Sequence, residues 1–370
     1  MSVETAKPTR KRKPWKVVLL ILLIVLLTVL LAGAGYFAYL MLSYSRIEDN
    51  QTQTIAATGQ TASLQTGKTY VAVTNNIGFG AYTPDYTFFM DGGKQSWAAS
   101  EESVHKTIRQ AAETCLSLDP DFLLLQEVDT DSTRTYHIDE SELIRSACPS
   151  YSSVFANNFH SAFLMYPLTE PHGASVSGLM TLAKNNPTSA VRYSLPIAET
   201  LSKFLDLDRC FLVTRYPVEN GKEFVLVNVH TSAYGNDATI REQQMNKLLG
   251  FMKDEYAKGN YVLCGGDFNH DFTGTSVQAL NGTDAGERTW AQPLPVEMLP
   301  DGFRRLDRYK DGKTVATCRD NDIPFCEDSF LIIVDGFLAS ENIEDVELEN
   351  VWVGFAYSDH QPVKLTFTLK

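Results

Sequence analysis

The clearest feature of the hydrophobic pattern is a block without any charged residue, residues 17–42. At about 1.5 Å per residue this block forms a helix roughly 39 Å long, more than the ~30 Å of a bilayer's hydrocarbon core. Residues 1–16 before it hold six basic residues and one acidic residue. Because basic residues flank the cytoplasmic end of a span, the pattern predicts a single-pass signal anchor with a cytoplasmic tail over 1–16 and the remainder outside the cell.

A cleaved signal peptide is the alternative interpretation of residues 17–42. Its apolar region is normally about 7–15 residues long, shorter than this block, and no small-residue cleavage site follows. We therefore interpret the block as a transmembrane helix, with the lipid bilayer as its partner and the cell membrane as the location. Residues 43–68 follow; much of this segment is Thr, Gln, Ala and Gly without helical or strand periodicity, which predicts a flexible stalk.

From residue 69 to 370, apolar runs typical of strands alternate with helical patterns. Residues 100–117 place Val104, Ile108, Ala111 and Cys115 on one face, and a second helix is predicted from Asp139. A third helix is predicted from a stripe of Met245, Leu248, Leu249, Met252 and Tyr256. Strands are predicted at 70–76, 121–127, 224–230, 261–267, 330–335 and 363–369. This alternation predicts one α/β domain over 69–370.

Charge narrows the classes of function. Of the formal charge of −13, the first 16 residues contribute +5, so the remainder carries 26 basic and 44 acidic residues, a net −18. A domain that binds nucleic acid through an excess of cations is therefore disfavoured.

Polar residues stand where the predicted buried strands end. These residues are Asn76, Glu127, His230, Asp267 and Asp335. Each alone is typical of a turn or a helix cap. Ligand sites in α/β sheets collect at strand ends, and this mixture of amide, carboxylate and imidazole suits divalent metal and proton transfer.

The motifs around these residues resemble the endonuclease/exonuclease/phosphatase family, which includes deoxyribonuclease I, exonuclease III and neutral sphingomyelinase. The resemblance covers about residues 69–370 and rests on motifs in this order: Asn76-Ile77, Gln126-Glu127, Asn228-Val229-His230, Gly266-Asp267-Phe268-Asn269, Val334-Asp335 and Ser358-Asp359-His360. It implies a four-layer α/β sandwich, two packed β-sheets flanked by helices. It also implies Mg²⁺-dependent hydrolysis of a phosphoester.

The residue types agree with metal chemistry. Glu127 offers a carboxylate and Asn76 a carbonyl oxygen, and hard oxygen ligands suit Mg²⁺ or Mn²⁺. Asp359 is expected close to the same centre. We therefore expect Asn76, Glu127 and Asp359 to hold the metal.

Five further residues are expected to carry the catalysis. His360 is the candidate general base, since an imidazole with a pKa near 6.5 accepts a proton at neutral pH. Asp335 is expected to hold the other ring nitrogen, and Asp267 to orient the attacking water. Asn269 is expected to donate to the phosphate, and His230 to stabilise the phosphate or serve the leaving group, as the resemblance implies.

The sequence leaves the substrate open. Nucleic acid, phospholipid and small phosphoesters all remain, as do monoesterase and diesterase activity, and no substrate-binding residue is assigned. The alternatives are a lipid-headgroup phosphodiesterase similar to the sphingomyelinases and a non-catalytic binding ectodomain of the same fold. No obligate protein partner is predicted. Cys318 and Cys326 lie close enough in sequence for a disulfide in an oxidising compartment.

Overall fold

The computed structural model describes residues 13–198, 200, 203, 208–233, 238–286, 288 and 290–370. The chain divides into two compact units, Met1–Ser45 and Arg46–Lys370. The first contains helix α1 (Pro14–Ser43), whose most apolar 18-residue window has a mean hydropathy of 3.3. This helix encloses the predicted span 17–42 and is long and apolar enough to cross a membrane. The predicted tail lies almost wholly outside the described residues.

The second unit is built from two mixed seven-stranded sheets over the described residues. Its helices are α2 (Glu101–Ser117), α3 (Glu140–Ala147), α4 (Ala238–Ala257) and α5 (Ser276–Asn281). Its strands are β1 (Gln51–Thr52), β2 (Ile55–Ala56), β3 (Thr69–Asn76), β4 (Phe122–Asp129), β5 (Ser152–Leu164), β6 (Gly173–Ala183), β7 (Ser189–Ser194), β8 (Cys210–Pro217), β9 (Glu223–His230), β10 (Tyr261–Asp267), β11 (Phe303–Arg305), β12 (Cys318–Arg319), β13 (Leu331–Ile332), β14 (Asp335–Ser340), β15 (Ile343–Asn350) and β16 (Val363–Leu369).

The strand order in one sheet is β1-β7-β8-β9-β10-β14-β11, and in the other β15-β16-β3-β4-β6-β5-β2. In each sheet one central pair is parallel, β9 with β10 and β3 with β4. The carboxyl ends of these four strands carry most of the polar residues that the sequence singles out. A separate pair, β12 and β13, lies outside both sheets.

An apolar layer fills the space between the sheets. Phe122 and Leu124 of β4 pack there with Phe224 of β9, Leu263 of β10 and Phe367 of β16, and all five are buried. Strands in this position are covered on both faces, which explains their continuous apolar runs. Burial of this layer holds the two sheets face to face.

Helices cover the outer faces and complete four layers, which confirms the predicted fold class. The predicted face of α2 is buried against one sheet: Val104, Ile108, Ala111 and Cys115. At the start of α3, the Asp139 side chain accepts a hydrogen bond from the Glu142 amide at 3.1 Å, as its N-cap role requires. On the other sheet, α4 packs with its predicted stripe, from Met245 to Met252, in the core.

The segment predicted as a flexible stalk differs from the prediction. The folded unit begins at Arg46, β1 pairs with β7 at the edge of one sheet, and β2 pairs with β5 at the edge of the other. Leu64 is buried in the layer between the sheets. Backbone pairing does not require an apolar pattern, so a polar segment can join a sheet edge without showing strand periodicity.

Candidate active site

The site begins with three neighbouring strand positions in one sheet. Asp267 ends β10 and lies opposite His230, which ends β9, and opposite Asp335, which begins β14. The sequence predicts one strand over 330–335 that ends at Asp335; the structure instead divides this region into β13 and β14. Because β14 runs antiparallel to β10, the first residue of β14 still lies at the edge where β10 ends.

A glycine allows this edge to close. Gly266, just before Asp267, has φ +151, and a Cβ there would lie 2.0 Å from the carbonyl oxygen of Val229. Only glycine permits so close an approach of β10 to β9. The glycine of the Gly-Asp-Phe-Asn motif is therefore required by the close approach of the two strands, and the motif does not depend on its chemical groups alone.

His360 reaches the same edge from a loop between β15 and β16. Its Nδ1 lies 2.8 Å from Asp335 Oδ2, and its Nε2 lies 3.8 Å from Asp267 Oδ2. The loop is fixed by Ser358, whose hydroxyl donates to the Asn76 carbonyl at 2.8 Å and accepts from the His360 amide at 3.1 Å. The predicted His360–Asp335 pairing is present in the structure.

The carboxylates determine the charge of the His360 ring. Burial alone would lower the pKa of His360, but Asp335, with further help from Asp267, raises it well above its usual value. Burial raises the pKa of Asp267 to about 6. A buried imidazole between two acids is thus stabilised in its protonated form, the form that follows removal of a proton from water.

Asn76 joins the two sheets at the site. Its amide nitrogen donates to Glu127 Oε1 and to Asp267 Oδ2, both at 3.0 Å, and its oxygen accepts from the Gly78 amide at 3.0 Å. The two carboxylates therefore contact the nitrogen of this side chain, and the metal-ligand role of its oxygen stays a prediction. In this arrangement Asn76 positions two carboxylates from opposite sheets.

Glu127 sits on a distortion of β4. The register of β4 against β6 shifts between Leu125 and Val128, and Glu127 itself has φ 54. This local bulge turns the carboxylate into the cleft, where 27 % of the side chain is exposed. Burial raises the pKa of Glu127, and the nearby Asp359 carboxylate raises it further.

The donor set around Glu127 fits a divalent cation. Two carboxylates, Glu127 and Asp359, repel each other in a mostly buried setting, and both line one cleft. Asp359 Oδ2 also accepts a hydrogen bond from the side-chain Nδ2 of Asn321 at 2.7 Å. Oxygen donors with unbalanced negative charge are what Mg²⁺ or Mn²⁺ requires.

A second group could also hold a metal. Asp267, Asp335 and His360 each offer one ligand atom, and these atoms lie within 4.8 Å of one another. In the structure two of the three are already joined by the 2.8 Å His360–Asp335 contact. Within the described residues, however, Asp335 Oδ1 is buried without a hydrogen-bond partner, so the contacts inside this cluster do not satisfy all of its oxygen atoms.

His230 and Asn269 complete the predicted set. His230 Nε2 lies 3.4 Å from Asp267 Oδ2 and 3.9 Å from Glu127 Oε1. Burial lowers the pKa of His230 well below its usual value, and the Arg209 guanidinium lowers it further, so this ring is neutral. Asn269 donates from Nδ2 to the Thr231 carbonyl at 3.0 Å, which uses one of its two N–H groups. All eight predicted site residues converge on one region.

Sequence reasoning missed several residues of the cleft, including Arg209, Tyr82 and Trp290. Arg209 stands one residue before β8, and Tyr82 and Trp290 lie outside strands, so no strand-end signal marks them. Beside the cleft is an aromatic chamber, which shares Tyr82, Glu127, Arg209 and His230 with it. Its lining includes Phe79, Phe88, Phe159, His172 and Arg134.

The sequence profile of the Endonuclease/Exonuclease/phosphatase family matches residues 76–360, from the first site residue to the last. The chain belongs to this family. Its members are hydrolases of phosphoester bonds and typically depend on a divalent metal. This family member contains a buried cluster of Asp267, Asp335 and His360.

Solved structures agree with this family domain at the level of the fold. A family protein from Beutenbergia cavernae DSM 12333 is similar at 16 % identity and TM-score 0.52, covering 82 % of this chain and 72 % of its own. TDP2 from Caenorhabditis elegans is similar at 16 % identity and TM-score 0.51, and the match covers 82 % of this chain and 76 % of TDP2. The human Nocturnin catalytic domain with bound sulfate is similar at 15 % identity and TM-score 0.51, and the match covers 86 % of this chain and 98 % of that domain. No curated protein matches the chain in sequence.

The aromatic chamber yields a prediction about acid stability. His172 packs against the rings of Phe88 and Phe89, and burial, then Arg134, lowers its pKa to about 3. Unfolded histidine binds its proton near pH 6.5, so between pH 6.5 and 3 the unfolded state holds more protons and stability falls as pH falls. His172→Phe is expected to reduce the slope of the unfolding free energy against pH by up to about 1.4 kcal/mol per pH unit.

Urea unfolding at pH 5 and pH 7 measures the slope for the wild type and for His172→Phe. His105→Phe is the control, because His105 is exposed on α2 and the change makes the same substitution outside the chamber. Equal pH dependence in the wild type and His172→Phe would contradict a neutral, buried His172.

Proposed function

We propose that the protein is a membrane-anchored, extracytoplasmic phosphoesterase that depends on a divalent metal and activates water through His360. The observation that carries the proposal is the buried pairing of His360 Nδ1 with Asp335 Oδ2 at 2.8 Å, with Nε2 directed towards Asp267. This arrangement supplies a base, its orienting acid and a second acid at one point.

His360 and its partners perform the proton transfer. In the neutral form of the ring, the Nε2 atom accepts a proton from water while the water oxygen bonds to phosphorus, and the bond from phosphorus to one ester oxygen breaks. Asp335 keeps the ring oriented and stabilises the imidazolium that forms. Asp267, 3.8 Å from Nε2, orients the attacking water by accepting its other hydrogen bond. The ester oxygen that leaves takes up a proton from solvent and departs as the alcohol, and His360 returns its proton to solvent.

The phosphate is held by His230, Arg209 and Asn269, which line the same cleft as Asp267 and His360. Neutral His230 lies between Asp267 and Glu127, and Arg209 is near enough to lower the pKa of His230. A guanidinium there suits the charge of a phosphate oxygen. Asn269 has a second N–H for the same oxygen, since only one is used by Thr231.

Glu127 and Asp359 would hold Mg²⁺ or Mn²⁺, and Asn76 keeps Glu127 in place by its 3.0 Å hydrogen bond. When bound, the cation polarises a phosphoryl oxygen and offsets negative charge in the transition state. The raised pKa of Glu127 supports this assignment, because two adjacent carboxylates favour a cation between them.

Anchoring is supported by helix α1 and the basic residues before it. Thirty residues at about 1.5 Å rise give roughly 45 Å, enough to cross the hydrocarbon core with some tilt. The basic tail favours a cytoplasmic N-terminus, which leaves the phosphoesterase domain outside. The complete set of site residues favours an enzyme over a non-catalytic ectodomain.

Metal dependence tests the proposed function. Removing divalent ions with EDTA is expected to abolish hydrolysis of bis(p-nitrophenyl) phosphate by the full-length protein, and Mg²⁺ or Mn²⁺ to restore it. Glu127→Gln removes one anionic ligand, so we expect half-maximal activity at about tenfold or more higher Mg²⁺. Isothermal titration of Mg²⁺ gives the affinity independently of turnover.

The matched control for Glu127→Gln is Glu113→Gln, an exposed position on α2. It removes the same charge without touching the cleft and is expected to leave Mg²⁺ dependence unchanged. Full activity in EDTA, or an unchanged Mg²⁺ dependence in Glu127→Gln, would overturn the assignment.

A further inference from the structure

The end of β5 and the loop that joins it to β6 carry an unusual concentration of exposed apolar side chains. We name residues 163–168 the apolar tip. Leu168 is 80 % exposed and Tyr166 69 %, and Met165 and Phe163 are exposed as well. Residues 161–169 contain no charged residue. A cluster of large apolar side chains held in solvent marks a surface that another apolar phase covers.

The apolar tip lies at the end of the domain where the chain enters it. Asp208 contacts both Arg46, the first residue of the folded unit, at 3.5 Å and His160 of β5 at 2.6 Å. His160 lies only three residues before the tip along β5. The Ile47 amide also donates to Asp208 at 3.0 Å, so the entering segment is fixed at this end. Only Tyr44 and Ser45 separate Arg46 from helix α1.

The active-site cleft opens at the same end. Phe159, next to His160, and Arg209, next to Asp208, both line the aromatic chamber that adjoins the catalytic residues. Tyr166 of the tip packs on Phe89, with ring centroids 5.8 Å apart, and Phe89 in turn packs on His172 of the chamber. Chain entry, apolar tip and chamber thus form one contiguous region of the domain.

We propose that the apolar tip inserts into the bilayer that holds helix α1 and presents the cleft to phospholipid headgroups. The proposal names the substrate class of the proposed phosphoesterase and rests on that function for its catalytic part. The tip combines leucine and phenylalanine with a tyrosine, side chains that suit the boundary between headgroups and acyl chains.

The charge of the domain indicates which class of lipid headgroup the apolar tip contacts. Residues 43–370 carry a net −18, and the tip has no basic residue. Anionic lipids attract polybasic segments, which this surface lacks. A surface of zwitterionic headgroups is therefore the partner. Water bonds to phosphorus, the bond from phosphorus to the glycerol or ceramide oxygen breaks, and the phosphorylated headgroup is released.

Fluorescence tests the insertion without requiring catalysis. The full-length protein, with Cys326→Ser to remove the exposed native thiol, receives an environment-sensitive probe at Leu168→Cys and is reconstituted in phosphatidylcholine vesicles. We expect blue-shifted emission and strong quenching by dibrominated phosphatidylcholine. The matched control is Val346→Cys, which is 59 % exposed on β15 and is expected to stay quenched only by aqueous iodide.

Hydrolysis tests the substrate class. In mixed phosphatidylcholine and sphingomyelin vesicles, Leu168→Ser is expected to lower headgroup release about tenfold, because the lost apolar burial weakens insertion. Its hydrolysis of soluble bis(p-nitrophenyl) phosphate is expected to be unchanged, since Leu168 is outside the catalytic machinery.

Three results separate the claims. A probe at residue 168 that responds like the probe at residue 346 overturns insertion. Lipid quenching at residue 168 without any hydrolysis supports insertion and overturns the proposed enzyme function. Insertion with soluble hydrolysis but no headgroup release overturns the lipid substrate alone.

Discussion

Replacing His360 by alanine is expected to lower kcat for bis(p-nitrophenyl) phosphate by about 10²–10⁴-fold, the usual loss when a general base is removed. In the proposed mechanism the ring accepts the proton from water, and its 2.8 Å contact with Asp335 fixes which nitrogen faces the substrate. Asp335→Asn keeps the shape but loses the charge that stabilises the imidazolium, so a large loss in kcat is expected there too. Steady-state kinetics at saturating Mg²⁺ measures both.

His105→Ala is the control for the His360 variant, because His105 is exposed on α2 and away from the cleft. Circular dichroism of each variant shows whether the fold survives the change. A His360→Ala protein that folds and keeps the wild-type rate would remove the general base from the proposal.

The second large effect concerns the segment before the predicted domain boundary. A fragment that begins at Thr69 is expected to unfold far more readily than one that begins at Arg46. It lacks both edge strands and Leu64, whose backbone pairs with Pro217 and Glu219 at 2.8 and 2.9 Å. Loss of a buried leucine side chain alone costs roughly 2–5 kcal/mol. Thermal and urea unfolding of the two fragments measures the difference.

Leu64→Ala in the 46–370 fragment isolates the contribution of the side chain. Gln65→Ala, at the exposed neighbouring position, is the control for substitution in this segment. Equal unfolding midpoints for the fragments starting at residues 46 and 69 would restore the stalk interpretation.

The site is predictable from the sequence because most of the site residues stand at the ends of predicted strands. Asn76, His230 and Asp267 follow continuous apolar runs, and parallel pairing carries those run ends to one edge. The helices α2, α3 and α4 are likewise predictable from periodicity and caps. Four strands between Ser152 and Pro217 have no counterpart among the predicted elements.

What the sequence does not predict depends on contacts distant along the chain. Arg209 is placed beside His230 by the pairing of β8 with β9, and no local pattern records this. The orientation of the Asn76 amide follows from the Gly78 amide and two carboxylates, not from the residue type. Cys318 and Cys326 are both free, and Cys318 is buried beside His360 rather than exposed for pairing.

Asn76 has a consequence for how the protein acquires its activity during folding. Its single amide nitrogen holds Glu127 of its own sheet and Asp267 of the opposite sheet, and Gln126 likewise donates across the layer to Asn228 at 2.8 Å. Neither sheet contains a complete site. Catalytic competence therefore arises only when the two sheets dock, and the regain of activity after refolding marks that docking event rather than the formation of either sheet.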